Sequence, residues 1–156
     1  MNAEPDHANV VMHPPILWVL LVAVGYGLDF LLPLPFLPLA FLAVWVGVAV
    51  WLAGFAFAAV AIAQFHRAGT DVRTHTPTAS IVDTGIFARS RNPIYGGAHI
   101  GVVGAAIALD SLWILAMLAP FYVVIRYGVV AREEAYLERK FGQGYLAYTA
   151  KVRRWI

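Results

Sequence analysis

The sequence predicts an all-α integral membrane protein: four transmembrane helices, the last two forming a C-terminal helical hairpin, followed by an amphipathic cytoplasmic tail. Three observations predict it. Of 156 residues, 61% are hydrophobic and 13% charged, with a mean hydropathy of +0.72, too apolar for a soluble domain of this length. Apolar runs recur at the length needed to cross a hydrocarbon core of about 30 Å, which takes roughly 20 helical residues. All eleven Lys and Arg residues fall in two places, a pattern that also orients the runs.

Residues 1–14 form a short N-terminal tail. It carries Glu4 and Asp6 but no Lys or Arg, the wrong pattern for a cleavable signal peptide, so the first span is expected to be retained. That span, residues 16–32, is apolar apart from Asp29. Residues 31–38, LLPLPFLP, hold three prolines that break the helix and set a stiff turn. The second span, residues 37–63, has no charge. The loop at 64–93 mixes His66, Arg67, Gly69, Thr70, Asp71, Arg73, His75 and Pro77; its length marks a functional or partly folded segment, expected to cover the cytoplasmic mouth of the helices. The third span, residues 94–109, is short; Asp110 and Ser111 make a tight turn to the fourth, residues 112–130, which contains Arg126. Residues 131–156 interleave Tyr136, Leu137, Phe141, Tyr145, Leu146, Tyr148 and Trp155 with basic side chains, and read as an interfacial helical tail broken at Gly142 and Gly144. Residues 15–156 are thus one domain.

The basic residues are Arg67, Arg73, Arg89 and Arg91 in the long loop and Arg126, Arg132, Arg139, Lys140, Lys151, Arg153 and Arg154 in or after the last span. The positive-inside rule places both groups, and both termini, in the cytoplasm, with a bacterial inner membrane the expected location. The net charge of +2 is accounted for by membrane lipids as partners, and no nucleic-acid partner is expected. The absence of cysteine excludes disulfides, thiolate metal sites and dithiol exchange, and no metal site is expected.

The most informative stretch is residues 84–97, TGIFARSRNPIYGG, which joins a polar, arginine-bearing loop to an apolar helix. Asn92 suits an N-cap and Pro93 the first helical position. With Arg89 and Arg91 just upstream, the helix start offers a place for an anion such as a carboxylate. Asn92, Tyr95 and His99 share one face, and Gly97, Gly101 and Ala105 form a small-residue stripe suited either to close helix packing or to ligand approach. His99 is either a hydrogen-bonded structural histidine or a group lining a pocket. Tyr122, Arg126 and Glu133, four and seven residues apart, read as a polar track; Arg126 either snorkels to the interface or pairs with a substrate anion. Glu133 and Glu134 point about 100° apart, so one is expected to meet a ligand and the other to pair with Arg132 or the long loop.

These motifs resemble the isoprenylcysteine carboxyl methyltransferases and the related phospholipid methyltransferases, membrane enzymes that use S-adenosylmethionine. The resemblance covers roughly the C-terminal half and rests on Thr84, Gly85 and Phe87, then Arg91, Asn92, Pro93, Tyr95 and Gly97, then the Glu133 and Glu134 pair, then Phe141, Gly142, Tyr145, Tyr148 and Arg154, in order. It implies a cofactor site made of Arg91, Asn92, Pro93, Tyr95, Gly97, Glu133 and Glu134, open to the cytosol, with S-adenosylhomocysteine as product. Arg91 and the helix start suit the cofactor's carboxylate, and a glutamate suits its ammonium or ribose hydroxyls. Asn92 departs from the family histidine and cannot titrate near neutral pH.

The expected function is methyl transfer to a lipophilic or lipid-linked acceptor, with Arg126, Glu133 and His99 as catalytic candidates. A carboxylate acceptor would be positioned by Arg126 or Arg89; an amine would lose its proton to Glu133, Glu134 or His99. An NADPH-dependent membrane reductase of related architecture and a non-enzymatic membrane assembly or transport subunit are the competing readings.

Overall fold

The computed structural model describes residues 6–37, 40–72 and 76–155, and within them every regular element is helical, with no strand. Arg73 and His75 of the long loop, and Glu4 of the tail, lie outside the described residues. Helix α1 is Pro14–Leu31 and α2 is Ala40–Arg67, followed by a 3₁₀ turn at Gly85–Ala88. Helix α3 is Pro93–Ala108. Helix α4 runs from Leu112 to Phe141, and α5 is Gln143–Lys151. Three helices, α1, α2 and α4, are long and apolar enough to cross a membrane, while α3 is apolar but shorter.

The helices begin where the side chains allow. Prolines open α1 and α3, where a missing N–H leaves no bond unmade. Ser111, fully buried, caps α4 by accepting from the Ile114 N–H at 3.3 Å. The first part of α4 is interrupted at Met117, next to the Ala116 carbonyl that Pro120 cannot bond. The hydropathy drop after Val130 was read above as the end of the fourth helix, yet α4 continues to Phe141. Loss of apolarity ends a span but not a helix, and residues 131–141 are good helix formers. The break falls at Gly142, whose φ is +52°; Gly144 lies inside α5.

Within α4, Val124–Val130 is a π-helical stretch. Its wider hydrogen-bond ladder takes more residues per turn than an α-helix, so positions before and after it fall out of α-helical phase.

Helix α3 sits at the centre. Its most extensive packing is against α2, and α1 packs on α3 and on the first part of α4. The α2–α3 seam is made by glycine: a Cβ on Gly54 would lie 2.6 Å from the Gly97 carbonyl oxygen, and one on Gly104 would lie 2.7 Å from the Trp51 Cα. The stripe expected as Gly97, Gly101 and Ala105 is therefore divided. Gly97 and Gly104 face α2, while a Cβ on Gly101 would meet Trp18 and Trp51 at ordinary distances of 3.6 and 3.9 Å. At the end of the bundle away from Arg91, the Asp110 carboxylate accepts the N–H groups of Phe36 and Leu37, each at 2.9 Å, tying the proline turn to the α3–α4 turn.

Candidate functional site

At the end opposite Asp110, the α3 N-terminus, α4 and the segment after α5 converge. Asn92 is the α3 N-cap, but its side chain does not cap. Its amide Nδ2 donates to the Arg154 carbonyl at 3.1 Å, and the Arg91 N–H donates to the Arg153 carbonyl at 3.0 Å. The chain after α5 thus lies along residues 91–92. Its Arg154 guanidinium grips Glu134, with Nη2 to Oε2 at 2.7 Å and Nε to Oε1 at 2.9 Å. Arg91 meets the same carboxylate from the other side, Nη1 to Oε1 at 3.2 Å. Of the two partners expected for the paired glutamate, the long-loop arginine is found; Arg132 instead donates to the Asn9 carbonyl at 2.6 Å.

Glu133, the adjacent carboxylate, accepts the Tyr95 hydroxyl at 2.6 Å. The helical offset that sends Glu134 to the arginines sends Glu133 to α3. His99 Nδ1 lies 2.7 Å from the Tyr95 carbonyl; a carbonyl only accepts, so Nδ1 carries the proton, and Nε2 is buried without a hydrogen-bond partner. The imidazole is enclosed by Phe121, Tyr122 and Trp155, with ring centroids 4.7, 6.0 and 5.8 Å away.

A cavity of about 870 Å³ opens between these groups. Arg91, Asn92, Pro93, Tyr95, Gly97, Glu133 and Glu134 all lie on its wall, so the seven residues singled out for a cofactor share one space. His99 and Arg126 are not on that wall. Arg126 lies in the π-helical stretch with its guanidinium 5.1 Å from the Tyr127 ring centroid. Tyr122, Arg126 and Glu133 are accordingly parted: their expected common face assumed α-helical phase through the residues where that phase changes. Arg89 is exposed, as is His66.

Sequence reasoning missed several wall residues. Tyr145, read only as part of an interfacial tail, is buried on the cavity wall, and burial, reinforced by the Glu134 carboxylate, pushes its phenol up to about 12, so it remains a neutral donor. Tyr148, whose phenol burial also raises, donates to the Phe87 carbonyl at 2.8 Å and fixes the 3₁₀ turn. That turn is also held by Gln64 of α2, which accepts the Ile86 N–H at 3.1 Å, and by Phe65 stacked on Phe87 with centroids 4.5 Å apart. The remaining walls are apolar: Trp18 and Val19 from α1, Trp51, Phe55 and Ile62 from α2. Thr70, Thr76 and Thr78 bring the long loop to the same space.

A polar floor of two carboxylates and a buried guanidinium under apolar walls suits a ligand with both charged and hydrocarbon parts. A Haemophilus influenzae protein described as uncharacterized is 56% identical over 36 residues, which are 23% of this chain; the match covers 57% of that curated relative's length. No solved structure is significantly similar to the chain. Residues 42–144, well over half of the chain and including α3, most of α4 and both glutamates, match the phospholipid methyltransferase family. The chain belongs to the phospholipid methyltransferase family.

Proposed function

We propose that the chain is an S-adenosylmethionine-dependent membrane methyltransferase acting on a lipophilic or lipid-linked acceptor. The observation that carries this reading is the gathering of Arg91, Tyr95, Glu133 and Glu134 on one cavity wall whose other side is hydrocarbon. The cofactor fits the residues present. Arg91 Nε is buried without a hydrogen-bond partner, a donor matched to a carboxylate; Glu133 keeps acceptor capacity for an ammonium or for hydroxyls. At about 870 Å³ the cavity is near the upper end of small-molecule sites, which supports two ligands in one space.

When bound, the cofactor supplies a methyl group on a positively charged sulfur, open to direct displacement by an acceptor heteroatom. The chain's own work is alignment and exclusion of water. Glu134, held from two sides by Arg91 and Arg154, fixes the guanidinium that receives the carboxylate. Tyr95 orients Glu133 by donating to it, leaving the second oxygen for the ligand or for a proton from an amine acceptor. Neither His99 nor Arg126 reaches the cavity wall, so Glu133 is the catalytic candidate that the geometry favours.

In this reading residues 15–156 are one domain, α3 is a fourth, short span forming a hairpin with α4, and the Arg91 end faces the cytosol with both termini. The end carrying most of the basic residues supports that orientation. A cytoplasmic membrane is the location, with membrane lipids as partners.

The test is calorimetric titration of the detergent-purified protein with S-adenosylhomocysteine, with Glu133→Ala and Arg91→Ala variants and an NADPH control. Saturable binding weakened about tenfold or more in either variant, with none of NADPH, is expected. Folded parent protein that binds no S-adenosylhomocysteine overturns the cofactor assignment.

A further inference from the structure

The residues before α1 do more than lead into the membrane. From Asp6 to Val11 they run antiparallel to α4, fastened at three levels. Val11 N–H donates to the Gly128 carbonyl at 3.1 Å, Arg132 donates to the Asn9 carbonyl at 2.6 Å, and the Asp6 carboxylate accepts from Lys140 Nζ at 2.7 Å and from the Tyr136 hydroxyl at 3.0 Å. Ala8, only 4% exposed, and His13 are on the cavity wall. The Tyr136 hydroxyl also accepts the Thr78 N–H at 3.1 Å, so the N-terminal segment and the long loop meet on one oxygen of α4.

We infer that residues 6–11 form a strap across the polar mouth of the cavity, and that ligand enters when this strap leaves α4. Two features make the strap the movable wall. Its outer clasp, Asp6 to Lys140, is an ion pair with side chains 60% and 26% exposed, the kind that contributes little and is screened by salt. The floor, by contrast, is held by the largely buried Arg91, Glu134 and Arg154 cluster. Opening therefore costs least at the strap and leaves the carboxylates in place. The strap also lies outside the residues that match the family, 42–144, so it is a feature of this chain's own N-terminal segment. The inference rests on the proposed function only for the identity of what enters.

The chain has no cysteine, so one introduced thiol reports alone. Ile62→Cys places it on the cavity wall and Ala106→Cys in the sealed core. Both are labelled in detergent with a quaternary-ammonium methanethiosulfonate, with the parent strap, with Asp6→Asn and with Lys140→Ala. Cutting the clasp is expected to speed labelling of Ile62→Cys up to about fivefold, with Ala106→Cys still protected, and raised salt is expected to speed labelling with the parent strap but not with Lys140→Ala. Equal labelling rates at Ile62→Cys in all three backgrounds overturn the inference, as does equal acceleration at Ala106→Cys in both strap variants, which would mean unfolding. Because the thiol readout needs no cofactor, a protein that fails to bind S-adenosylhomocysteine but labels faster with the clasp cut keeps the strap and loses the proposed function; normal binding with unchanged labelling does the reverse.

Discussion

Replacing Gly104 with alanine puts a methyl group into the seam between α2 and α3, against Trp51 Cα at 2.7 Å and the Gly47 carbonyl oxygen at 2.8 Å. Ordinary carbon contacts begin near 3.4 Å, so the helices must part by at least about 0.7 Å along their closest line. Neither obstacle is a side chain that can rotate away. Overpacking a tight interior costs about 1–3 kcal/mol, and a clash with backbone on both sides belongs at the upper end. For a chain of this size each kcal/mol moves the midpoint by about 2–4 °C, so a fall of about 6–12 °C is expected. The assay is the apparent Tm of detergent-purified protein, followed by tryptophan fluorescence at one scan rate because unfolding here is treated as irreversible. Gly27→Ala is the matched control: a Cβ there meets nothing within 4 Å, so the same chemical change on α1 is expected to be stabilising by about 0.5–1 kcal/mol. A Gly104→Ala protein that melts with the parent, or above it, would refute the argument that the seam depends on glycine.

Glu134→Gln keeps the shape of the side chain but strips the charge from between Arg91 and Arg154, whose side chains are 12% and 33% exposed. Losing the shared partner of a mostly buried cluster is expected to cost about 2–3 kcal/mol of stability, read as a lower Tm, and to weaken S-adenosylhomocysteine binding; Glu134→Asp recovering neither would be consistent with the two-sided geometry. Asp110→Ala removes the acceptor shared by Phe36 and Leu37 and is expected to cost about 2 kcal/mol, with Asp110→Asn recovering part of the loss in the same melting assay. Hydrogen bonds from Lys140 and Tyr136 hold the Asp6 carboxyl below its ordinary range. Its folded value is the lower one, so the clasp is present above the usual carboxylate pKa and is lost as pH falls below about 4. Hydrogen exchange at residues 6–11 is expected to accelerate on that acid side before the rest of the chain; simultaneous acceleration everywhere would count against a separable strap.

The legibility of the chain followed the range of the interactions. Prolines at 14 and 93 and the apolar runs set α1, α2 and α3 to within a few residues, because those signals are local. The fourth helix ran eleven residues further than its hydropathy, since the Glu and Arg residues of 131–141 end the apolar stretch while favouring helix. The seven residues expected at a cofactor site could be grouped because a motif carried them together. What joins Glu134 to Arg154 could not be read: the partners sit 20 residues apart across a break at Gly142. Tyr136 and Asp6, 130 positions apart, left no pattern at all. His99 and Arg126 were placed by counting turns of an α-helix, and counting fails wherever the backbone changes its pitch.

That change of pitch makes α4 a helix whose two halves are set in phase by residue number. The first half is placed by packing against α1 and the α3–α4 turn; the second half presents its carboxylates at an angle fixed by how many residues the wide turns at Val124–Val130 consume. Each residue of an α-helix is worth about 100° of rotation. A chain one residue shorter in this stretch would keep every side chain named here and still turn Glu133 away from Tyr95 and Glu134 away from its arginines. The site is addressed by spacing as much as by chemistry, and a single insertion or deletion in an apolar segment about two helical turns away could erase it without touching a polar residue.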